Sequence, residues 1–151
     1  LYTGDRPNNN QGIWLKEPAL PTDVRIEFTA KSTKGKKPVF EGDLKCEFGG
    51  DKKEHASGYI VILGGWKNTV NTIAKHDEHG KGRLAVDSKI KVEEDKLYKF
   101  QVVRLGDEVK WFLDGKLLLK VKDKDPLTGT VFGFNNWNSR AYFDNLKVFA
   151  L

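Results

Sequence analysis

The sequence predicts an all-β protein built as a two-sheet antiparallel β-sandwich. Three observations favour this fold. Short stretches of alternating apolar and polar residues recur along the chain, Gly, Asn, Asp and Pro clusters separate them, and no segment keeps a capped helical period for long. The length of 151 residues suits one domain with a sizeable core.

Ten strands are predicted in chain order. In the first, Val24, Ile26 and Phe28 alternate with polar residues and define one apolar face. The run 59–63 is apolar at every position, which is typical of a central strand covered on both faces. The Asp114-Gly115 pair joins two alternating runs and predicts a β-hairpin with a type I′ turn. The predicted strands are 24–28, 44–48, 59–63, 72–75, 83–86, 98–104, 109–113, 116–121, 130–134 and 141–149.

The first 21 residues differ from the rest because they are rich in Gly, Asn and Pro. This composition predicts a loop-rich segment, in which residues 13–15 form an edge strand. A single domain therefore spans residues 1–151. The first residue is Leu rather than Met, so we expect a processed protein or a module cut from a larger one, fused to other domains.

Composition excludes several classes of function. No stretch approaches the roughly 18 apolar residues that span a bilayer, so membrane insertion is not expected. The net charge is +5, but the basic residues are mostly scattered Lys, whereas nucleic-acid readers more often carry an Arg-bearing stripe. The charge is compatible with an anionic polysaccharide. The sole cysteine, Cys46, occupies an apolar alternating position, which predicts a buried thiol rather than a nucleophile.

Several segments resemble a known superfamily. They read GDLKCEFGG (42–50), SGYIVILGGWKNT (57–69), YKFQVVRLGDEVKWFLDGK (98–116) and YFDNLKVF (142–149). Over residues 22–149 the chain resembles the concanavalin A-like lectin/glucanase (laminin G-like jelly-roll) superfamily, and more narrowly bacterial domains related to family 16 glycoside hydrolases. The resemblance implies a concanavalin A-like jelly roll that holds a carbohydrate on its concave sheet or rim. It also implies an extracellular or periplasmic, bacterial setting.

The catalytic motif of family 16, Glu-x-Asp-x-(x)-Glu, is missing, so no catalytic residue is assigned and a non-enzymatic role is favoured. Asp43, Lys45 and Glu47 share one strand face, but Lys45 separates the acids, and this pattern predicts a salt-bridged outer face. A glycan-active hydrolase or lyase with a non-standard site is the alternative. Its roles would fall on His76, Tyr59, Lys75 and Arg140. A structural or protein-interaction sandwich is a third hypothesis.

Two polar segments at strand ends carry the chemistry of sugar recognition. A Trp offers a flat face to the C–H groups of a sugar ring, and amide, imidazole or guanidinium groups can bond to hydroxyls. We therefore predict a polysaccharide-binding domain, although Asn is also a common turn residue and a Trp can cap a core. The predicted carbohydrate-binding residues are Trp66, Asn68, Asn71, His76, Asn135, Asn136, Trp137 and Arg140.

One acidic residue raises the question of a metal. Strict alternation places Asp144 on the face of Leu146 and Val148, where a carboxylate needs a partner or a bulge. The resemblance implies a structural calcium near the last strand, with ligands from Asp144 and the segment 4–10. Backbone N–H partners for Asp144 are the alternative, and no cofactor is required. The segment 76–80, HDEHG, is interpreted as a solvated polar turn rather than a metal cluster.

Overall fold

The computed structural model describes residues 1, 10, 12–34 and 40–151. Two antiparallel sheets face each other, as the alternation predicts. The six-stranded sheet has the order β1-β10-β3-β4-β5-β6 and the five-stranded sheet the order β11-β2-β7-β8-β9. The strands are β1 (Ile13–Trp14), β2 (Val24–Thr33), β3 (Leu44–Gly50), β4 (Tyr59–Gly64), β5 (Val70–Lys75), β6 (Arg83–Asp87), β7 (Tyr98–Leu105), β8 (Glu108–Leu113), β9 (Lys116–Lys122), β10 (Val131–Asn135) and β11 (Arg140–Ala150).

The predicted strands and hairpin are confirmed. β8 and β9 pair in antiparallel fashion across Asp114 and Gly115, whose φ angles of 50° and 80° are the positive values that a type I′ turn requires. β4 is buried at every position, in agreement with its unbroken apolar sequence. Short helical elements complete the chain, namely the turn Gly65–Asn68 and a 3₁₀ turn at Gly80–Gly82.

Aromatic stacking fills the space between the two sheets. Phe28 stacks on Phe100 with ring centroids 4.6 Å apart, and Phe134 stacks on Phe143 at 4.4 Å. Phe28 also meets the edge of the Phe134 ring at 5.0 Å, which joins the two pairs across the sandwich. Such contacts add to the hydrophobic effect of burying the rings. Cys46 is free and buried here, as its apolar position predicted.

A second small apolar cluster lies on the opposite, outer face of the six-stranded sheet. It consists of Ile60, Ile62 and Ala74, with Trp66 packed against it. These residues are buried although they point away from the main core, so other parts of the chain must cover this face. We refer to the outer face of the six-stranded sheet as the site face.

No helix among the described residues is long and apolar enough to cross a membrane.

Candidate functional site

Two charged residues of β3 point onto the site face and are nevertheless buried. Leu44, Cys46 and Phe48 face the core, so alternation turns Lys45 and Glu47 outward. Lys45 is 0% and Glu47 is 1% exposed. Buried charges are costly unless they are paired and hydrogen-bonded, so their partners define the chemistry of this face.

Lys45 is held by three oxygen atoms. Its Nζ lies 2.6 Å from Asn10 Oδ1, 2.8 Å from Glu78 Oε2 and 3.8 Å from Asp43 Oδ2. An ammonium group has three donors and no acceptor. One donor of Lys45 is used by Asn10, while Glu78 and Asp43 face the ammonium as ion-pair partners.

Glu47 organises the other half of the buried network. Its Oε1 accepts hydrogen bonds from His55 Nδ1 and Asn135 Nδ2, both at 2.7 Å, and its Oε2 accepts the Ala56 backbone N–H at 2.8 Å. Because an ionised carboxylate only accepts, the proton of His55 belongs on Nδ1. The Nε2 atom of His55 then points toward Glu78 Oε2, 3.8 Å away. We call Asp43, Lys45, Glu47, His55, Glu78 and Asn135 the charged network.

The ionisation of Asp43 depends on its place in the charged network. Burial raises the pKa of its carboxyl from 3.8 to about 6, although the Lys45 ammonium opposes this rise. The Glu78 carboxylate raises the pKa further, and the hydrogen bond from the Trp137 backbone N–H lowers it. Asp43 therefore exchanges its proton near neutral pH, which is uncommon for an aspartate and common at functional sites.

Trp66 reaches the site face from an unusual backbone conformation. Trp66, Lys67 and Asn68 have φ angles of 50°, 58° and 63°, so Gly65–Asn68 is a left-handed turn built without glycine at these three positions. Left-handed helical backbone costs roughly 1–2 kcal/mol per ordinary residue. The Asn68 side chain braces the turn by donating to Val92 O and accepting from Val92 N, both at 2.8 Å. Strain of this kind persists where the surrounding structure fixes it, often at ligand sites.

The two predicted tryptophans line one pocket. Its volume is about 330 Å³, and we call it the aromatic pocket; its lining residues are Asn10, Asp43, Trp66, Glu78, His79 and Trp137. Trp137 is 39% exposed and lies parallel to Phe40, with ring centroids 6.4 Å apart. The Trp66 ring meets the edge of His79 at 5.4 Å and carries the Arg83 guanidinium at 3.7 Å from its centroid. The pocket thus combines indole surface with carboxylate oxygens.

The other predicted site residues are distributed more widely. Asn135 lies in the charged network. Asn71 is buried and donates to Asp87 and to the Ile90 carbonyl. The remaining side chains have separate places: Asn68 braces the Trp66 turn, Asn136 bonds to Ser139 within its own loop, His76 is exposed after β5, and Arg140 opens β11 in the five-stranded sheet.

Sequence reasoning missed five of the six members of the charged network: Asp43, Lys45, Glu47, His55 and Glu78. The shared face of Asp43, Lys45 and Glu47 was visible as alternation, and its interpretation as a salt-bridged outer strand face is confirmed by the Lys45–Asp43 pair. Alternation did not show that Lys45 and Glu47 are buried on that face. The segment 76–80 is also only in part a solvated turn, because Glu78 is 8% exposed and pairs with Lys45. His55 was not singled out, and no local pattern marks it.

A calcium site at Asp144 does not fit the described residues. A bulge between Asp144 and Lys147 turns the Asp144 carboxylate to solvent, where its Oδ1 accepts the Asn145 backbone N–H. No three His, Cys, Asp or Glu residues of the described part cluster as metal ligands. Of the predicted ligand segment 4–10, only Asn10 lies within the described residues.

The chain matches a protein-family model. Residues 49–146 match the family model described as "Domain of unknown function (DUF6250)". The match covers more than half of the chain, so the protein belongs to this family. No curated protein matches the sequence.

Solved structures share the fold at low identity. The carbohydrate-binding module CBM66 from Bacillus subtilis is 18% identical, with 93% of both chains covered and a TM-score of 0.67. The VIP36 exoplasmic/lumenal domain, bound to Ca²⁺ and Man3GlcNAc, is 14% identical, covers 99% of this chain and 78% of its own, and has a TM-score of 0.74. A Bacillus subtilis protein of unknown function with a galectin-like fold is 14% identical, with coverages of 95% and 78% and a TM-score of 0.73. These are concanavalin A-like jelly-roll sandwiches, so the predicted fold is confirmed.

Proposed function

We propose that this domain binds a carbohydrate in the aromatic pocket, between Trp66 and Trp137. The observation that carries the proposal is the pairing of two indoles with two carboxylates, Asp43 and Glu78, in one pocket of about 330 Å³. An indole face packs against the C–H groups of a sugar ring, while carboxylate oxygens accept hydrogen bonds from its hydroxyls.

The architecture supports this proposal without fixing the ligand. CBM66 is a carbohydrate-binding module, and the VIP36 domain was solved with Man3GlcNAc. Fold alone does not determine function, so the argument depends on the pocket. A domain of this kind would meet its polysaccharide outside the cell or in the periplasm, attached to other domains.

The backbone at the pocket also supports ligand binding. Asp43, Trp66 and Asn138 all adopt positive φ angles, of 50°, 50° and 46°. A shape that needs several disfavoured conformations is typical of a preorganised site. A ligand then meets side chains that are already fixed, which lowers the entropic cost of binding.

The experiment is a retention screen against soluble neutral and anionic polysaccharides, with bound fraction and new chain ends read from the same samples. Trp66→Ala and Trp137→Ala should each weaken retention by about tenfold or more, since loss of a stacking aromatic removes roughly 1–3 kcal/mol in other stacked complexes. The matched control is Phe149→Ala, because Phe149 is an exposed aromatic with a cation over its ring on the other sheet.

Full retention by the Trp66→Ala, Trp137→Ala double variant would refute the assignment of the pocket. New reducing or unsaturated chain ends would show that the domain also cleaves its ligand, the alternative that the sequence left open.

A further inference from the structure

Two of the six residues that line the aromatic pocket carry carboxylates, whose oxygens accept hydrogen bonds. Asp43 and Glu78 contribute carboxylates, and Asn10 has its side-chain oxygen directed at Lys45. We propose that the pocket selects uncharged sugar units, which it reads through their hydroxyl hydrogens, and excludes uronate and sulfate groups. This inference rests on the proposed function and names the class of its ligand.

Lys45 cannot serve as the anion-binding group of this pocket. Its ammonium is 0% exposed, and the oxygens of Asn10, Glu78 and Asp43 surround it. An incoming carboxylate would have to displace one of these partners and leave it buried and unpaired. Leaving a buried charge unpaired is strongly unfavourable, so the ion pairs of Lys45 exclude an anion rather than attract it.

The carboxylates of the pocket are concentrated in a small, poorly solvated volume. Asp43 and Glu78 are both mostly buried, with side-chain exposures of 13% and 11%. Below them Glu47 adds a third carboxylate, against one buried ammonium. Because screening by water is weak there, a further negative charge on the ligand is repelled, whereas a hydroxyl group can donate to either lining carboxylate.

The cations beside the pocket are engaged by aromatic rings. The Arg83 guanidinium stacks on Trp66, and its Nε donates to the Glu78 carbonyl at 2.9 Å. The Lys67 ammonium lies 5.4 Å from the centroid of the Phe40 ring. His79, the remaining titratable group of the lining, has its Nδ1 3.2 Å from Asp77 Oδ1. Each of these groups therefore already has a negative or aromatic partner.

The local charge of the aromatic pocket is thus negative, whereas the net charge of the whole protein is positive. A net charge of +5 attracts polyanions at long range, but this attraction is screened within about 8 Å at physiological salt. Contact in the pocket depends on the local carboxylates. The net charge therefore predicts tighter binding of an anionic glycan, whereas the pocket carboxylates predict tighter binding of a neutral one. Affinity measurements can distinguish the two.

The test compares one glycan backbone in two charge states. A neutral polysaccharide retained in the screen is oxidised at its primary alcohols to carboxylates. The affinities of the neutral and oxidised forms are then measured at 0.15 M and 0.5 M NaCl, because the higher salt concentration reduces non-specific attraction. We expect the neutral form to bind at least about tenfold more tightly, the size of effect that one like-charge contact produces. Glu78→Gln should reduce the ratio of neutral to oxidised affinity several-fold. Asp43→Asn should change the ratio in the same direction, and it replaces Glu78→Gln in the test if that variant folds poorly. Glu27→Gln, on the five-stranded sheet, is the matched control and should leave the ratio unchanged.

Each outcome bears on a distinct claim. Equal or tighter binding of the oxidised form overturns the selectivity, and so does retention of anionic polysaccharides alone, while binding in the pocket still stands. An unchanged ratio in both Glu78→Gln and Asp43→Asn also overturns it. Failure to retain any polysaccharide of either class removes the proposed function, and the selectivity with it.

Discussion

The charge on Asp43 should destabilise the folded protein, and Asp43→Asn should therefore stabilise it at alkaline pH. Burial raises the pKa of this carboxyl from 3.8 to about 6. The folded state thus prefers the protonated form. The unfavourable contribution is absent below pH 3.8, grows as the pH rises toward 6, and is complete above it. The rise in pKa corresponds to about 3 kcal/mol at pH 8.

Asn preserves the essential geometry at this position. Its side-chain oxygen can still accept the Trp137 backbone N–H, and Lys45 keeps its contacts with Glu78 and Asn10. The variant should accordingly gain up to about 3 kcal/mol in free energy of unfolding at pH 8 and nothing at pH 4, and the gain should be intermediate at pH values between these two. For a domain of this size, that gain raises the Tm by several degrees.

Urea denaturation of the wild type and Asp43→Asn at pH 4, 6 and 8 measures this difference. The comparison cancels the titration of all groups that the two proteins share. Asp144→Asn is the control, because this carboxylate is exposed on the other sheet, and its difference should stay close to zero. A difference that is constant with pH, or a variant less stable than wild type at pH 8, would refute the reasoning.

Three further predictions concern the charged network, the left-handed turn and the metal. Lys45→Ala should lower the free energy of unfolding by about 3–5 kcal/mol, because Glu78 loses the ammonium that its buried carboxylate faces; urea denaturation measures this, and a loss below 1 kcal/mol would contradict it. Lys67→Gly should be about 1 kcal/mol more stable than Lys67→Ala, because glycine adopts the φ of 58° without steric cost; equal stabilities would show that the turn is unstrained. EDTA should leave the Tm unchanged, since Asp144 has no cluster of metal ligands among the described residues; a fall that added Ca²⁺ reverses would restore the calcium hypothesis.

The fold was accessible from the sequence because its signals are local. Alternation places Val24, Ile26 and Phe28 in the core, and the Asp114-Gly115 pair provides the left-handed residues of the hairpin turn. Each of these features depends on a few neighbouring residues. Two opposed apolar faces then require a second layer, whichever strands supply it.

The site was less accessible because its contacts join distant parts of the chain. Lys45 is buried by Glu78 and Asn10, which lie 33 residues after it and 35 before it. Alternation shows that Lys45 faces away from the core, but not that other segments cover that face. Asn68 shows the same limit, because its two hydrogen bonds to Val92 join residues 24 positions apart. The polar neighbours of Trp66 and Trp137 marked them as candidate site residues, whereas the carboxylates of Asp43 and Glu78 beside them became visible only in the folded chain.

Ligand binding in the aromatic pocket should be linked to release of a proton from Asp43. A sugar hydroxyl that donates to this carboxylate stabilises its ionised form and lowers its pKa, as does any hydrogen bond to the charged state. Affinity for a neutral glycan should therefore increase as the pH rises toward about 6 and level off above it. If the ligand returned the pKa to 3.8, the increase would reach about a hundredfold.

Calorimetric titrations between pH 4.5 and 8 measure this linkage directly, as affinity and as the number of protons released. The groups that face Asp43, namely Lys45, Glu78 and His55, act on its pKa in both directions, so the comparison needs a variant that removes Asp43 alone. Asp43→Asn should abolish the rise in affinity below pH 6, whereas His79→Ala, at the same pocket, should preserve it. A pH dependence that survives in Asp43→Asn would assign the proton to another group. A flat profile in the wild type would mean that the ligand does not reach the carboxylate. Burial of the Asp43 charge lowers the stability of the folded protein. A ligand that donates hydrogen bonds to this carboxylate stabilises the charge, and the free energy so gained contributes to affinity.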